Sequence, residues 1–194
     1  MAVFRRTKKT ERFITLELNA HLMPLDRGTY FEDPLIEHLE AMKLPAVVDG
    51  GGTQTGENGE PVRSDIDLVV TSNDPMPVVG SVAIFLTQLG APKGSRLLDG
   101  GKLVTDFGTH EGLGIYLNGT ELPAEVYATS DVNDLVDAVL TALGDAGRML
   151  SNWHGPTETA IYLYGPSAAE MRERVIPALA SFPLAERCRV VDLT

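Results

Sequence analysis

Three carboxylates stand at alternate positions in two short segments that the sequence predicts to be neighbouring strands. Glu17 belongs to residues 13–18, and Asp65 and Asp67 belong to residues 64–70, where apolar and polar side chains alternate. This period of two places the carboxylates on the sheet face opposite the apolar side chains. Such oxygen ligands could bind a divalent cation for a metal-assisted hydrolase, or they could share a proton. The pattern favours the simpler alternative of a solvated acidic face.

A glycine-rich run between two predicted strands holds the second group of residues that could do chemistry. Its candidate ligand-binding residues are Gly50, Gly51, Gly52 and Thr53. Because glycine leaves backbone N–H groups accessible, the run could present them and a threonine hydroxyl to an anionic metabolite. No Gly-Lys-Ser/Thr sequence and no following helix complete a nucleotide phosphate loop, so we predict a flexible hairpin connection.

Three tyrosines form the third group. Tyr116 lies in a predicted strand at 113–117, and Tyr162 and Tyr164 lie in another at 158–164. RNA-recognition modules stack bases on aromatic residues at such positions, but the RNP signature and surrounding basic residues are missing here. A small-molecule pocket is a second alternative. We predict that this tyrosine face packs at an interface and is buried by the first half of the chain or by a second chain.

Other catalytic and metal-binding signatures are missing from the sequence. No two histidines have the spacing of zinc ligands, and no Gly-x-Ser-x-Gly nucleophile elbow is present. The single cysteine, Cys188, excludes an internal disulfide, and its place in the last predicted strand favours a packing role. We therefore predict no catalytic residue and no cofactor.

The elements that must position these residues repeat one order twice: strand, helix, strand, strand, helix, strand. The first repeat runs from about residue 12 to 98 and the second from about 113 to 193. This predicts an α+β fold of two tandem ferredoxin-like (βαββαβ) units, each an antiparallel sheet with helices on one face. We place a basic N-terminal arm at 1–11, unit 1 at 12–102 and unit 2 at 103–194.

The charge of the chain restricts its partners. The 194 residues carry a formal net charge of -11, which opposes general nucleic-acid binding because phosphates require cations. Five basic residues are concentrated at the N-terminus: Arg5, Arg6, Lys8, Lys9 and Arg12. This arm is either solvated or lies across an acidic surface. No apolar run approaches the length of a membrane span or a signal peptide, which predicts a cytoplasmic protein.

Several strings of residues resemble a group of uncharacterised bacterial proteins. They are YFEDPL at 30–35, GGGT at 50–53, LGAPKGS at 89–95, GLGIYL at 112–117 and ETAIYLYG at 158–165. The resemblance covers most of the chain. It implies a bacterial cytosolic origin and brings no known reaction, cofactor or catalytic residue.

Together these features favour a non-catalytic acidic binding module that acts through contact with another protein or by self-association. Two alternatives stay open. One is a metal-assisted hydrolase that uses Glu17, Asp65 and Asp67. The other is a small-molecule sensor like the ACT-type regulatory domains, which have the same fold, with its ligand on the run from Gly50 to Thr53.

Overall fold

The computed structural model describes residues 11–193 and contains two antiparallel sheets. The basic residues Arg5, Arg6, Lys8 and Lys9 of the predicted arm lie outside the described residues. The first sheet contains β1 (Arg12–Leu18), β2 (Ala46–Thr55), β3 (Pro61–Val70), β4 (Ser95–Asp99) and β5 (Lys102–Phe107). The second contains β6 (Glu111–Asn118), β7 (Arg148–His154), β8 (Glu158–Gly165) and β9 (Arg189–Leu193).

Within residues 11–193, six α-helices connect the strands. They are α1 (Pro24–Arg27), α2 (Asp33–Ala41), α3 (Met76–Gln88), α4 (Ala124–Thr129), α5 (Val132–Leu143) and α6 (Ala168–Leu179). A π-helical turn, Gly28–Glu32, joins α1 to α2. None of the helices in residues 11–193 combines the length and the apolar character that crossing a membrane requires.

The strand order confirms the predicted fold class. The first sheet has the order β2-β3-β1-β4-β5 and the second has the order β7-β8-β6-β9. In both, the unit's first and third strands are central neighbours, with its second and fourth strands outside them, which is the ferredoxin-like arrangement. β5 adds a strand to the first sheet by pairing with β4. The predicted boundary between residues 102 and 103 therefore falls inside a strand of the first sheet.

In the described part of the chain, two hydrophobic clusters stabilise the fold. One lies between the second sheet and its helices and includes Leu113, Ile161 and Val139. The other contains the core of the first unit and also the tyrosines of the second sheet. Because this cluster is continuous across both units, the helix-free face of the second sheet packs against the first unit.

The edge strand β2 is much longer than the predicted strand 46–48, and this corrects the prediction of a flexible hairpin at 50–53. Gly50 to Thr53 pair with β3 in register, after a bulge between Val48 and Gly50. At Gly51 a Cβ atom would lie 2.3 Å from the carbonyl oxygen of Asp65, so a side chain there would displace the backbone of β3. Glycine therefore permits close strand pairing here.

Candidate functional site

The helix-free face of the first sheet carries a row of apolar side chains open to solvent. Phe13 of β1 lies opposite Val69 of β3, which in turn lies opposite Val47 of β2. Phe13 is 62% exposed and Val47 is 58% exposed. Ile14 and Leu16, which alternate with Phe13 along β1, are buried on the helix side. The exposed residues therefore lie on one face of a sheet whose opposite face is well packed.

Two leucines lie on the same face at the level of Thr15, one step along the strands from this row and toward the other edge of the sheet. Leu98 of β4 lies opposite Thr15 of β1, and Leu103 of β5 lies opposite Leu98. Leu103 is 56% exposed. We call the apolar side chains of this face the open-face patch: Phe13, Val47, Val69, Leu98 and Leu103. Several apolar side chains on one uncovered sheet face are more informative than single exposed leucines, because together they mark a surface suited to contact.

The predicted carboxylates lie beside the open-face patch. Glu17 is directly opposite Asp65, and Asp67 is opposite Thr15, whose hydroxyl donates a hydrogen bond of 2.7 Å to the Asp67 carboxylate. Glu17 accepts a hydrogen bond from Arg96. The three carboxylates therefore share one face, as the alternation predicts.

Asp65 differs from its two acidic neighbours. One of its carboxylate oxygens, Oδ1, is buried without a hydrogen-bond partner among the described residues. Burial, followed by the negative charges of Glu17 and Asp67, raises the pKa of Asp65 above its ordinary value. The carboxylate is thus less stable in its charged form than a solvated aspartate.

The geometry does not provide the set of metal ligands that the hydrolase hypothesis requires of Glu17, Asp65 and Asp67. Within residues 11–193, no group of three His, Cys, Asp or Glu side chains is arranged to hold a metal ion. Glu17 is engaged by Arg96 and lies 3.7 Å from Arg63, so two guanidinium groups already neutralise it. Asp67 is engaged by Thr15. The open face therefore presents ion pairs in place of a converging set of oxygen ligands.

The predicted ligand-binding segment, Gly50, Gly51, Gly52 and Thr53, lies in β2 at the edge of the same sheet. Thr53 points to the helix side, where its hydroxyl lies 3.3 Å from the Arg27 guanidinium. Arg27 is buried and forms an ion pair of 2.6 Å with Glu32. Anion binding at this segment stays a prediction.

The three tyrosines lie on the helix-free face of the second sheet, and this face is covered. Tyr116, Tyr162 and Tyr164 are 7%, 0% and 1% exposed. The hydroxyls of Tyr116 and Tyr162 donate hydrogen bonds of 2.6 and 2.8 Å to one oxygen of Glu60. The hydroxyl of Tyr164 accepts a hydrogen bond of 2.8 Å from the backbone N–H of His21. Each tyrosine is thus bonded to a residue of the first unit.

Glu60 and His21 complete this inter-unit cluster, which we define as His21, Glu60, Tyr116, Tyr162 and Tyr164. The His21 ring lies 4.9 Å from the ring of Tyr162, and its Nδ1 atom lies 3.5 Å from Glu60. Burial lowers the pKa of His21, although Glu60 opposes this. Burial also acts to raise the pKa of Glu60, but hydrogen bonds from Tyr116, Tyr162 and Asn58, together with the charge of His21, make the net shift downward.

These protonation states indicate a structural role for the inter-unit cluster. Burial and the neighbouring Glu60 raise the pKa values of Tyr116 and Tyr162 far above their ordinary value, so both hydroxyls stay protonated and act as donors. The carboxylate accepts from both, and the imidazole is neutral near pH 7. Sequence reasoning did not find His21 or Glu60, because they lie 39 positions apart and neither belongs to a motif.

Comparisons with known proteins find only remote structural similarity. No protein-family model matches the chain, and no curated protein matches it. The chain is similar to an unknown protein from Galdieria sulphuraria, with 12% identity over 95% of this chain and 98% of that one and a TM-score of 0.32.

Two further solved structures are also similar. One is the regulatory subunit of aspartate kinase from Thermus thermophilus, with 13% identity over 89% of this chain and 95% of that one and a TM-score of 0.27. The other is a mutant chlorite dismutase from Candidatus Nitrospira defluvii, with 10% identity over 94% of this chain and 91% of that one and a TM-score of 0.31.

Proposed function

We propose that this chain is a non-catalytic binding protein that contacts another protein through the open-face patch. The observation that supports this most directly is the exposure of Phe13 and Val47 on either side of Val69, on a helix-free sheet face. Removing apolar surface from water contributes about 25 cal/mol per Å². A partner that covers the open-face patch would gain this stabilisation without any rearrangement of the strands.

Charge favours a basic partner over a second copy of this chain. Two copies, each with a net charge of -11, repel one another before contact. On the open face, Asp65 lies against two like charges and keeps one oxygen without a hydrogen-bond donor. Because Oδ1 is buried, an arginine or lysine side chain of the partner would act on Asp65 through its positive charge, which offsets the repulsion from Glu17 and Asp67. The partner we infer therefore combines apolar side chains with at least one basic residue.

Matched surface variants test this proposal. Phe13→Ser and Val47→Ser remove apolar surface from the open-face patch, and Ile84→Ser removes it from the exposed side of α3. Ile84 is 63% exposed, close to the 62% of Phe13, so the two serine substitutions change similar amounts of solvent-exposed surface. Each variant is immobilised, incubated with a lysate of the source organism, and compared with the wild type by mass spectrometry of the retained proteins.

The expected result is one polypeptide that wild type and Ile84→Ser retain and that both patch variants lose. Calorimetry with that purified polypeptide should then show binding weakened about tenfold or more by Phe13→Ser, and weakened further by added salt. Equal retention by all four proteins would contradict the proposal. A dimer in sedimentation that Phe13→Ser dissociates would assign the open-face patch to a second copy instead.

A further inference from the structure

A cleft between the two units lies apart from both the open-face patch and the inter-unit cluster. Its volume is about 440 Å³, which is within the range of small-molecule sites. Its walls come from both units, with Pro92 and Lys93 from the turn before β4, His110 and Glu111 from the start of β6, Ala168 from the start of α6, and Leu193 from the end of β9.

Backbone hydrogen bonds fix the two walls of this cleft relative to each other. The N–H of Lys93 donates to the carbonyl of His110 at 2.7 Å, and the N–H of His110 donates to the carbonyl of Ala91 at 3.2 Å. Asn19 also donates to the carbonyl of Lys93 at 3.0 Å. The cleft is therefore already formed in the free protein, which reduces the entropy cost of binding a ligand.

The two carboxylates that line the cleft have hydrogen-bond partners within the protein, whereas its lysine has no ion-pair partner among the described residues. Glu111 accepts a hydrogen bond of 2.9 Å from the Ala168 N–H at the start of α6, and Asp192 accepts one of 2.6 Å from Arg172. The backbone N–H of Ala168 at the start of α6 is therefore already hydrogen-bonded to Glu111 and is not free for a ligand. By contrast, no carboxylate of residues 11–193 lies within 4.0 Å of the Lys93 ammonium.

The rest of the lining offers a mainly apolar contact surface. Pro92, Ala168 and Leu193 contribute hydrocarbon groups. The ring of His110 packs against Gly90, and its Nδ1 atom is buried without a hydrogen-bond partner among the described residues. Burial, followed by the charge of Arg148, lowers the pKa of His110, so the ring is neutral near pH 7. Lys93 is then the cation in the cleft that a ligand can neutralise.

From this geometry we propose that the cleft binds a small monocarboxylate with an apolar body. The carboxylate would pair with the Lys93 ammonium, and the body would lie between Pro92, Ala168 and Leu193. This inference does not depend on the proposed function, because the cleft and the open-face patch share no residue.

Titration with phenylacetate, octanoate and the neutral analogue phenylacetamide tests this proposal. The chain has only four histidines, so binding can be followed through the imidazole resonance of each one in a heteronuclear NMR spectrum. The His110 resonance reports the cleft, and the His21 resonance serves as an internal reference from the inter-unit cluster. Lys93→Gln removes the proposed cation, and Lys102→Gln removes an exposed lysine on β5 as the matched control.

We expect at least one of the two carboxylates to shift the His110 resonance to saturation while the His21 resonance stays unchanged. Lys93→Gln should weaken this binding about fivefold or more, whereas Lys102→Gln should leave it unchanged. Three outcomes would each overturn the proposal: no saturable shift at His110 up to about 10 mM carboxylate, equal binding of phenylacetamide and phenylacetate, or equal binding by wild type and Lys93→Gln.

Discussion

The two sheets have the same strand order over their four ferredoxin-like strands, but their helix-free faces differ. The first sheet leaves Phe13 and Val47 exposed there, whereas the second sheet buries Tyr116, Tyr162 and Tyr164 against the first unit. The difference shows that strand order leaves open what covers the helix-free face of a ferredoxin-like sheet. In this chain the covered face is tyrosine-rich, and each hydroxyl finds a partner in the first unit.

Truncating one aromatic residue on each face should give the largest contrast. Tyr162 is fully buried and Phe13 is 62% exposed. We expect Tyr162→Ala to lower the free energy of unfolding by about 3 to 5 kcal/mol, because it creates a cavity and removes a donor to Glu60. Phe13→Ala should lower it by less than about 1 kcal/mol. Urea denaturation of both variants measures the contrast, and equal losses would show that the two faces are equally packed.

Neutralising Glu60 should have the next largest effect, and the effect should depend on pH. The pKa of Glu60 is lower in the folded protein than its ordinary value of 4.5. The unfolded chain therefore binds more protons as the pH falls below 4.5, and stability from Glu60 is lost there. The pKa of His21 is also lower in the folded protein, so stability is likewise lost as the pH falls below the ordinary value of 6.5. At pH 7, Glu60→Gln should cost about 1 to 2 kcal/mol.

Urea denaturation at pH 7, 5.5 and 3.5 tests this prediction against the variant Glu57→Gln, which changes an exposed glutamate of the same hairpin. Wild type and Glu57→Gln should lose stability in parallel as the pH falls. Glu60→Gln should lose less between pH 5.5 and 3.5, because one of the titrating groups is gone. Parallel curves for all three proteins would rule out a coupling of the units through the Glu60 carboxylate.

The smallest effect, and one of opposite sign, is expected at Asp65 on the open face. Its pKa is raised by burial and by two neighbouring carboxylates, so its charged form destabilises the fold once the pH exceeds the folded pKa. Asp65→Asn should therefore stabilise the protein at pH 7 by less than about 1 kcal/mol. Asp67→Asn is the control, since Asp67 accepts a hydrogen bond from Thr15. Destabilisation by Asp65→Asn would contradict this account of the open face.

Local patterns in the sequence determine the starts of two helices and the faces of the strands in this fold. Asp131 caps α5 by accepting from the N–H of Asn133 at 2.8 Å, and Ser167 caps α6 by accepting from the N–H of Glu170 at 3.2 Å. The same alternation that places Glu17 on the helix-free face also places Phe13 there. The sequence therefore indicates that Phe13 lies on the helix-free face. It does not indicate that this face is left uncovered by the rest of the chain.

Strand lengths and strand partners were harder to predict, because they depend on long-range pairing. The glycines of β2 have low intrinsic preference for strands, yet pairing with β3 extends β2 to Thr55. In the same way, β5 follows a turn at Gly100 and Gly101 and joins the first sheet through β4. In both cases, hydrogen bonds to an existing strand outweigh local preference.

The sequence by itself determined the fold class and the two helix-free faces, because hydrophobic periodicity and helix capping act over a few residues. The sequence also predicted that the tyrosine face is covered, and only the tertiary structure decided which residues cover it. It brought Glu60 and His21 of the first unit to the tyrosines of the second, and it formed the cleft beside Lys93. The physical reason is that contacts between distant segments depend on how two preformed sheets fit together, which no local pattern records.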